Sequence, residues 1–323
     1  MNLFAKEDRC VSPNLIKIKL PELPEVQTIV NDLDKKIVGK KILGVLYCDA
    51  KKLIKESSFE KFKKEIKNKK ILKAERRAKN ILVHLSDEKI LSVHLKMTGH
   101  LLIVKNSKLK AKNLGATSSQ IIIKNGKWAG NNLPKELKEP KNQFIHLVLE
   151  LSGGEVLALS DMRKFAEVKL VDNGYLRILD QKLGPEPLDT GFDIKCFKNI
   201  IKSSKGKIKQ ALMDQSKISG IGNTYADEIL FFSGVRPDRL VGSLKEVEIN
   251  MIFRSIKDIL KKAIKLRGTS TADFRDTEGK EGGYQKVRYV YQRKGEKCRK
   301  CGSIIKKIKQ GGRGTCFCPV CQK

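Results

Sequence analysis

The sequence contains no long hydrophobic run. None of its apolar stretches approaches the roughly 18–20 residues that a membrane-spanning helix needs. Residues 1–20 also have no apolar stretch long enough to form the core of a signal peptide. These two absences exclude integral membrane proteins and secreted proteins, so we predict a cytoplasmic, nucleoid-associated protein with no membrane partner.

Acidic residues are scarce relative to basic ones. The 323 residues include 36 Asp and Glu against 67 Lys and Arg, which gives a formal net charge of +31. A surplus of this size favours a polyanionic partner, although a lysine-rich surface can also reflect compositional bias alone. The apolar fraction of 40% excludes a disordered basic tail and indicates a folded chain.

Cysteine is rare outside the last 26 residues of the chain. A secreted disulfide scaffold has cysteines spread along the chain, so this clustered distribution does not fit that class of protein. The C-terminal group follows the pattern C-x2-C, sixteen residues, C-x2-C, which suits two knuckles that a hairpin brings together. The pattern predicts one structural Zn²⁺ held by Cys298, Cys301, Cys318 and Cys321.

Two redox or disulfide pairs are the alternative to zinc at these four cysteines, and the absence of an export signal disfavours them. Four thiolates leave no open coordination position for catalysis. Cys316 is a spare thiol, and we expect it to be unligated. The basic residues between the knuckles, Arg313 included, suit phosphate contact, although a solvated hairpin is equally consistent with them.

Hydrophobic periodicity divides the chain into two parts. Residues 21–41 have one apolar face at helical spacing, and FEKFKKEI (59–66) is a second helix. Short β-branched runs separated by turn signals indicate antiparallel strands, and we therefore predict a β-sandwich or barrel with a leading helix. These runs lie at 42–48, 81–85, 90–95, 144–151, 155–160 and 167–171.

Residues 179–193 carry two prolines and two glycines and form the predicted domain boundary. The segments that follow them have helical periodicity. Residues 105–141 are lysine-rich with few apolar anchors, which predicts an insertion loop with one small extra strand at 121–128. VRYVYQR (287–293) predicts a strand that leads into the cysteine cluster.

A glycine-rich turn, GIGN, precedes an apolar helix. Asn223 is the predicted N-cap of that helix, and the glycines at 220 and 222 allow close approach of backbone or phosphate. Free N–H groups at a helix start bind phosphate oxygens. In a chain of this charge, the turn indicates a phosphate clamp.

Several separated motifs now agree with one another. In order along the chain they are PELPEV (21–26), RRAKN (76–80), HLKMTG (94–99), DMRKFA (161–166), LGPEPL (183–188), LMDQ…GIGNTYADEILF (212–231) and the cysteine knuckles. Together they resemble the formamidopyrimidine-DNA glycosylase family over nearly all of residues 21–323. The insertion at 105–141 is longer than the family leads us to expect, and residues 1–20 have no counterpart in it.

The resemblance implies an α+β fold. It consists of an N-terminal antiparallel β-sandwich with a leading helix, a helix–two-turn–helix domain and a four-cysteine zinc hairpin. The expected boundaries are an extension at 1–20, a sandwich at 21–178, a linker at 179–193, a DNA-binding domain at 194–287 with a lesion loop at 269–284, and a zinc hairpin at 288–323.

The implied activity is that of a monomeric, bifunctional repair enzyme acting on damaged double-stranded DNA. It excises oxidised purines such as 8-oxoguanine and formamidopyrimidines, and then cleaves the abasic strand by β- and δ-elimination. In this scheme Pro21 is the nucleophile that forms a Schiff base and Glu22 is a proton donor. Lys79 is the proton donor for β-elimination and Arg313 the proton donor for δ-elimination.

The resemblance also assigns the DNA contacts. His94, Asn223 and Arg313 contact the phosphates that flank the lesion. A second group fills the gap left by the flipped base, with one member also pairing with the orphaned cytosine. This group comprises Met97, Arg163, which pairs with the cytosine, and Phe165. Lys96 and Ala166 depart from the family pattern, because glycine is usual at both positions.

Pro21 presents a chemical difficulty, because its nitrogen is a tertiary amide inside a chain and cannot form an iminium. A free terminal amine has a pKa near ~8, which leaves a neutral fraction at physiological pH. Leu20 stands where the family has its initiator methionine. We expect translation to start at the Leu20 codon, with UUG or CUG read as methionine, so that removal of that residue exposes Pro21.

Two alternatives remain open at this level. One is an endonuclease VIII-like glycosylase for oxidised pyrimidines, which PELPEV in place of a PEGPE-type start disfavours. The other is a non-catalytic DNA-lesion-binding protein in which Pro21 stays blocked.

Overall fold

The computed structural model describes residues 20–105, 122–130, 133–270 and 273–323. The predicted extension, apart from Leu20, and residues 106–121 and 131–132 of the predicted insertion lie outside the described residues. Among the helices described, none combines the length and the apolar character that crossing a membrane requires.

Eight α-helices are described. They are α1 (Leu23–Ile37), α2 (Phe59–Ile66), α3 (Lys135–Lys138), α4 (Gly174–Lys182), α5 (Ile194–Lys202), α6 (Ile208–Met213), α7 (Asn223–Phe232) and α8 (Glu246–Lys265). Short 3₁₀ turns occur at Lys51–Leu53, Pro140–Gln143, Val241–Ser243 and Tyr284–Lys286.

Thirteen strands are described in the same residues. They are β1 (Ile42–Cys48), β2 (Ile54–Lys55), β3 (Ile71–Arg77), β4 (Asn80–Leu85), β5 (Lys89–His94), β6 (Gly99–Lys105), β7 (Ile122–Lys124), β8 (Lys127–Ala129), β9 (Ile145–Leu151), β10 (Glu155–Asp161), β11 (Glu167–Asp172), β12 (Lys306–Gln310) and β13 (Arg313–Phe317).

The strands of the first half form a four-stranded sheet and a five-stranded sheet. The strand orders are β1-β9-β10-β6 and β2-β11-β5-β4-β3. Neighbouring strands are antiparallel except for the short β2, which pairs with β11 in parallel. The inner faces of both sheets and α1 share one hydrophobic core, so the structure is the predicted sandwich with a leading helix.

A second core lies among α5 to α8. Phe192, Phe197 and Phe253 form an aromatic cluster in it, with ring centroids 5.8–6.0 Å apart. Leu23, at the first turn of α1, belongs to this second core, whereas Val26 three residues later belongs to the first. The start of α1 therefore lies where the two cores meet, and it is here that Pro21 and Glu22 are placed.

The predicted linker at 179–193 is partly helical and is firmly held. Helix α4 extends into it as far as Lys182. Beyond the helix, the Glu186 carboxylate lies 2.6 Å from the Arg76 guanidinium and 3.2 Å from that of Arg77, with both Arg76 and Glu186 side chains buried. The domain boundaries themselves stay predictions.

The strand expected at residues 287–293 is absent, because this segment consists of turns. The prediction was wrong because a side chain of helix α7 binds the backbone of this segment. The buried carboxylate of Glu228 in α7 accepts hydrogen bonds from the backbone N–H groups of Tyr289, Val290 and Tyr291 at 2.9–3.1 Å. These amides are satisfied by a side chain, and they need no partner strand.

Candidate active site

The Glu22 carboxylate is buried against the start of α7. It accepts hydrogen bonds from the backbone N–H groups of Gly222 and Thr224, each at 2.8 Å, and from that of Tyr225 at 3.3 Å. A helix N-terminus offers unpaired N–H donors and a partial positive charge, both of which favour a carboxylate. Pro21 is buried beside it, so this contact places the proline against the GIGN turn.

This arrangement corrects the expected cap of α7. The N-cap residue is Gly222, and Asn223 is the first residue of the helix. The carboxylate that satisfies the first turn comes from Glu22, 200 residues away in the sequence. A Cβ atom at Gly222 would lie 2.4 Å from the Glu22 carboxyl carbon, so only glycine leaves room for this contact.

Glu25 forms a second layer behind Glu22. Its carboxylate accepts hydrogen bonds from the Glu22 N–H at 2.9 Å, the Tyr225 hydroxyl at 2.6 Å and the Thr269 N–H at 2.7 Å. Burial, together with the nearby charge of Glu22, raises the pKa of Glu25 to about 7. Glu25 thus connects the start of α1 to α7 and to the base of the predicted lesion loop.

Lys79 lies at the tip of the β3–β4 hairpin. The tip is a two-residue turn between paired Arg77 and Asn80, and Ala78 adopts a positive φ of 54° in it. The Lys79 ammonium reaches the carbonyl of Ile221 at 3.4 Å, within the GIGN turn. Burial and the charge of Arg313 lower the pKa of Lys79, while Glu22 and Glu25 oppose that shift.

His94 ends strand β5, the central strand of the five-stranded sheet, and is paired with Asn80 on one side and Glu167 on the other. Its Nδ1 accepts a hydrogen bond from the Lys96 N–H at 3.0 Å. Burial, with the charge of Lys96 adding to it, lowers the pKa of His94 to about 4. The ring is therefore neutral at pH 7, and its Nε2–H is the proton it can donate.

Lys96 stands where the resemblance predicts glycine, and its backbone explains that preference. Its φ is 52°, in the left-handed region that glycine adopts without strain. The Lys96 ammonium forms an ion pair with Glu167 at 2.9 Å. This ion pair fixes the lysine side chain against the neighbouring strand β11.

Asn223 and Arg313 meet where the β12–β13 hairpin contacts α7. The Asn223 side-chain N–H donates to the carbonyl of Gly314 at 3.2 Å, directly after the exposed Arg313. A buried ion pair supports the same strand, because Lys209 lies 2.6 Å from Asp227 and donates to the Thr315 hydroxyl at 2.7 Å. Strand β13 is thereby tied to both α6 and α7.

Met97, Arg163 and Phe165 form a separate group at the edge of the sandwich. The Arg163 guanidinium lies 4.6 Å from the centre of the Phe165 ring, and one of its N–H groups is 3.4 Å from the Met97 sulfur. Phe165 is 47% exposed. The structure thus brings these three predicted side chains into one cluster, in which Phe165 is exposed and Met97 and Arg163 are half-buried.

The described part of the predicted lesion loop packs against the sandwich. The Arg275 side chain is buried and donates to Glu139 at 2.9 Å, while the Thr277 hydroxyl donates to Asp32 at 2.8 Å. Residues 271–272 lie outside the described residues. Closure of this loop over a flipped base stays a prediction.

The four predicted zinc ligands lie together, with all their sulfur atoms within 4.8 Å of one another. The Cys301 and Cys318 sulfurs are 3.4 Å apart, and those of Cys298 and Cys321 are 3.9 Å apart. Thiolates around a tetrahedral Zn²⁺ lie about 3.8 Å apart, so this donor set fits one structural zinc ion. Cys316 is buried outside the group, with its N–H donating to Asp227.

The structure therefore places five predicted residues around one turn: Pro21, Glu22, Lys79, Asn223 and Arg313. His94 lies at the end of β5, paired with Asn80, which follows Lys79. The sequence assigned no site role to three residues that organise these two groups. Glu25 and Asp227 support the region around the GIGN turn. Asp161 accepts hydrogen bonds from the turn that carries Arg163. A signal existed for Glu25, because an acidic residue three positions after a helix start is a capping pattern. Asp227 and Asp161 act through contacts between distant segments, which spacing does not reveal.

Three models of protein families match the chain. The formamidopyrimidine-DNA glycosylase N-terminal domain matches residues 20–168, and the formamidopyrimidine-DNA glycosylase H2TH domain matches residues 183–275. A zinc finger found in FPG and IleRS matches residues 295–323. These matches follow the order of the sheets, the helices and the cysteine hairpin.

Whole proteins and solved structures agree with the family models. A formamidopyrimidine-DNA glycosylase from Pelotomaculum thermopropionicum is 37% identical over 306 residues, covering 94% of this chain and 99% of that protein. A complex between Lactococcus lactis Fpg and an abasic site containing DNA is 33% identical with a TM-score of 0.75, covering 94% and 99% of the two chains. A complex of Lactococcus lactis FPG (MutM) with a FAPY-dG containing DNA is 34% identical with a TM-score of 0.75, covering 94% and 100%.

Proposed function

The chain belongs to the formamidopyrimidine-DNA glycosylase family and is a DNA repair glycosylase with abasic-site lyase activity, and we propose that it excises oxidised purines through an iminium formed at Pro21. Its partner is damaged double-stranded DNA, and we place its action at the nucleoid in the cytoplasm. The Lactococcus lactis relatives were solved with abasic-site and FAPY-dG DNA, which supports this choice of lesion. The observation that carries the proposal is the burial of Pro21 and Glu22 at the start of α7, beside Lys79.

In the proposed reaction, the Pro21 nitrogen bonds to the sugar C1′ as the bond from C1′ to the damaged base breaks. The Glu22 carboxylate takes the proton that the Pro21 nitrogen releases and passes it to the ring oxygen of the sugar, which opens and leaves an iminium between Pro21 and C1′. The iminium withdraws electrons, so loss of a C2′ proton breaks the C3′–O bond and loss of a C4′ proton then breaks the C5′–O bond. Water finally hydrolyses the iminium and releases the enzyme.

In this scheme Lys79 protonates the group that leaves in β-elimination, and Arg313 donates hydrogen bonds to the phosphate that leaves in δ-elimination. The pKa of Lys79 is lowered by burial, which brings the ammonium closer to releasing its proton at physiological pH. The exposed Arg313 supplies a permanent positive charge beside Asn223, suited to the phosphate that leaves in δ-elimination.

The active form, we propose, begins at Pro21, since only a terminal proline has the secondary amine that this chemistry needs. In support, the N-terminal family model begins at residue 20, and relatives matched over 94% of this chain are themselves covered over 99–100% of their length.

Borohydride trapping tests the proposal. Chains beginning at Pro21 and at Met1 are incubated with duplexes that contain 8-oxoguanine, thymine glycol or a preformed abasic site. We expect a covalent adduct with the Pro21 form on the 8-oxoguanine and abasic duplexes and none with the Met1 form. Glu22→Gln should slow excision of 8-oxoguanine by at least about a hundredfold, whereas Glu60→Gln, at an exposed position, should not change it.

Each alternative has its own outcome. Preferential adduct formation on thymine glycol identifies an endonuclease VIII-like enzyme. Tight binding of the 8-oxoguanine duplex without an adduct from the Pro21 form identifies a non-catalytic lesion-binding protein. Intact mass of the protein from its native host decides the start, because a chain that retains residues 1–20 contradicts the proposed active form.

A further inference from the structure

Asp161 is a fully buried carboxylate that holds two separate loops. It ends strand β10, directly before the turn that carries Arg163 and Phe165. One of its oxygens accepts hydrogen bonds from the N–H groups of Phe165 and Ala166, each at 2.7 Å, and the other accepts one from the N–H of Arg163 at 3.2 Å. The buried carboxylate thus fixes the backbone conformation of this turn.

The same carboxylate also holds the loop that carries Met97. The Thr98 hydroxyl donates to Asp161 Oδ1, and the Arg163 N–H is 3.1 Å from that hydroxyl. Thr98 follows Met97 directly and is itself buried. Arg163, Phe165 and Met97 therefore share one anchor, although they lie on two loops more than 60 residues apart in sequence.

Asp161 is supported from behind by a buried histidine. Nε2 of His146 lies 3.0 Å from the Asp161 carbonyl oxygen, and Nδ1 of the same ring lies 2.7 Å from the Asp49 carboxylate. Among the residues that the structure describes, the Asp161 carboxylate has backbone and hydroxyl donors and no ion pair, which ties its position to the conformation of both loops.

We propose that Asp161 is the positioning residue that holds Met97, Arg163 and Phe165 in one arrangement, and that its bond to Thr98 sets how strictly the enzyme selects the base opposite the lesion. The inference rests on the proposed function. A guanidinium only donates hydrogen bonds, and the pairing edge of cytosine offers acceptors at O2 and N3, whereas adenine presents an N–H₂ donor beside N1. The placement of Arg163 therefore determines how well the two bases are distinguished.

The test compares Thr98→Val with Thr98→Ser in the chain that begins at Pro21. Valine has the shape of threonine without the hydroxyl that joins the loops, and serine keeps that hydroxyl. The ratio of kcat/KM for 8-oxoguanine opposite cytosine to that opposite adenine is measured. We expect Thr98→Val to lower the ratio about tenfold, as loss of a hydrogen bond to a charged group predicts, and Thr98→Ser to retain it.

A second measurement separates positioning from a general loss of structure. The yield of borohydride-trapped adduct on a preformed abasic site should change less than about twofold in Thr98→Val, because no base has to be extruded from that site. Asp161→Asn replaces an acceptor oxygen with an N–H₂ that faces N–H donors, and it should lower selectivity further.

An unchanged selectivity ratio in Thr98→Val overturns the inference, as does an equal fall in selectivity and abasic-site trapping. Failure of the proposed function is recognised separately, because the unsubstituted Pro21 form would then give no adduct on any 8-oxoguanine duplex.

Discussion

At the scale of single residues, His94 and Arg313 are both predicted to contact phosphate, but they carry different charges. Burial lowers the pKa of His94 to about 4, so its ring is neutral from pH 6 to 8. Arg313 is exposed at the start of β13 and carries a guanidinium, which is a cation. The resemblance assigns both residues to phosphate contact, and the structure shows that one is a neutral donor and the other a cation.

This difference predicts distinct salt dependences for two substitutions. The slope of log affinity against log salt reports the number of phosphates neutralised, with about 0.9 per phosphate on duplex DNA. We expect Arg313→Gln to reduce the slope by about 0.9, and His94→Gln to weaken binding with the slope unchanged. Fluorescence anisotropy titrations of an abasic duplex at several salt concentrations measure both.

A reduced slope for His94→Gln would show that the ring binds DNA as a cation, contrary to its buried environment. Affinity of the unsubstituted protein that increases sharply between pH 8 and pH 6 in step with His94 protonation would contradict the same point.

At the scale of elements, the folding of the sandwich can be measured separately from that of the cysteine hairpin. The only tryptophan of the chain, Trp128, is buried in the small core between β8 and the outer face of the four-stranded sheet. The cysteine hairpin has its own core, which includes Phe231 and Val290. Trp128 emission therefore reports on the sandwich and not on the hairpin.

Loss of zinc should therefore weaken DNA binding without changing Trp128 emission. We expect Cys318→Ser to lose zinc and to lower affinity for an abasic duplex at least about tenfold, because the charge-assisted contact of Arg313 depends on the folded hairpin. Cys316→Ser is the matched control, since its sulfur lies outside the four-cysteine group. Zinc content, anisotropy and tryptophan emission are measured on both variants.

If a Cys318→Ser protein that lacks zinc kept its affinity for DNA, the hairpin would not contribute to DNA binding. Zinc loss in Cys316→Ser would contradict the assignment of the four ligands.

Some elements were predictable from the sequence and some were not. Helix α2 and strand β1 have the predicted bounds, because their apolar periodicity is undisturbed. Strand β3 was missed, since charged residues alternate with few apolar ones along an edge strand. The segment at 287–293 has the composition of a strand, but a carboxylate from α7 binds its amides.

At the scale of the whole molecule, ion pairs join the sandwich to the segments that follow it, and the pair of Arg76 with Glu186 is buried on both sides. Glu186 contacts Arg76 and Arg77, and Arg267, which follows α8, binds Asp32 of α1 at 2.6 Å. These contacts position α1, and hence Pro21, relative to α7. Their removal should therefore affect the stability of the whole chain.

We expect Glu186→Gln to lower the free energy of unfolding by about 3 kcal/mol, because it leaves the buried guanidinium of Arg76 uncompensated. Glu246→Gln removes an exposed ion pair with Lys198 and should leave that free energy nearly unchanged. Urea titrations of both variants measure the difference. Equal effects would indicate that the Glu186 contacts do not couple the two cores.

The sequence by itself determined the fold class, the cysteine ligands and the family, because periodicity, knuckle spacing and motif order are properties of short segments. It also named the residues of the candidate site, by resemblance. Only the tertiary structure decided how those residues are held: Glu22 by α7 amides 200 residues away, and the Met97 and Arg163 loops by Asp161. The physical reason is that such hydrogen bonds join distant segments, and their partners are chosen by packing rather than by neighbours in the chain.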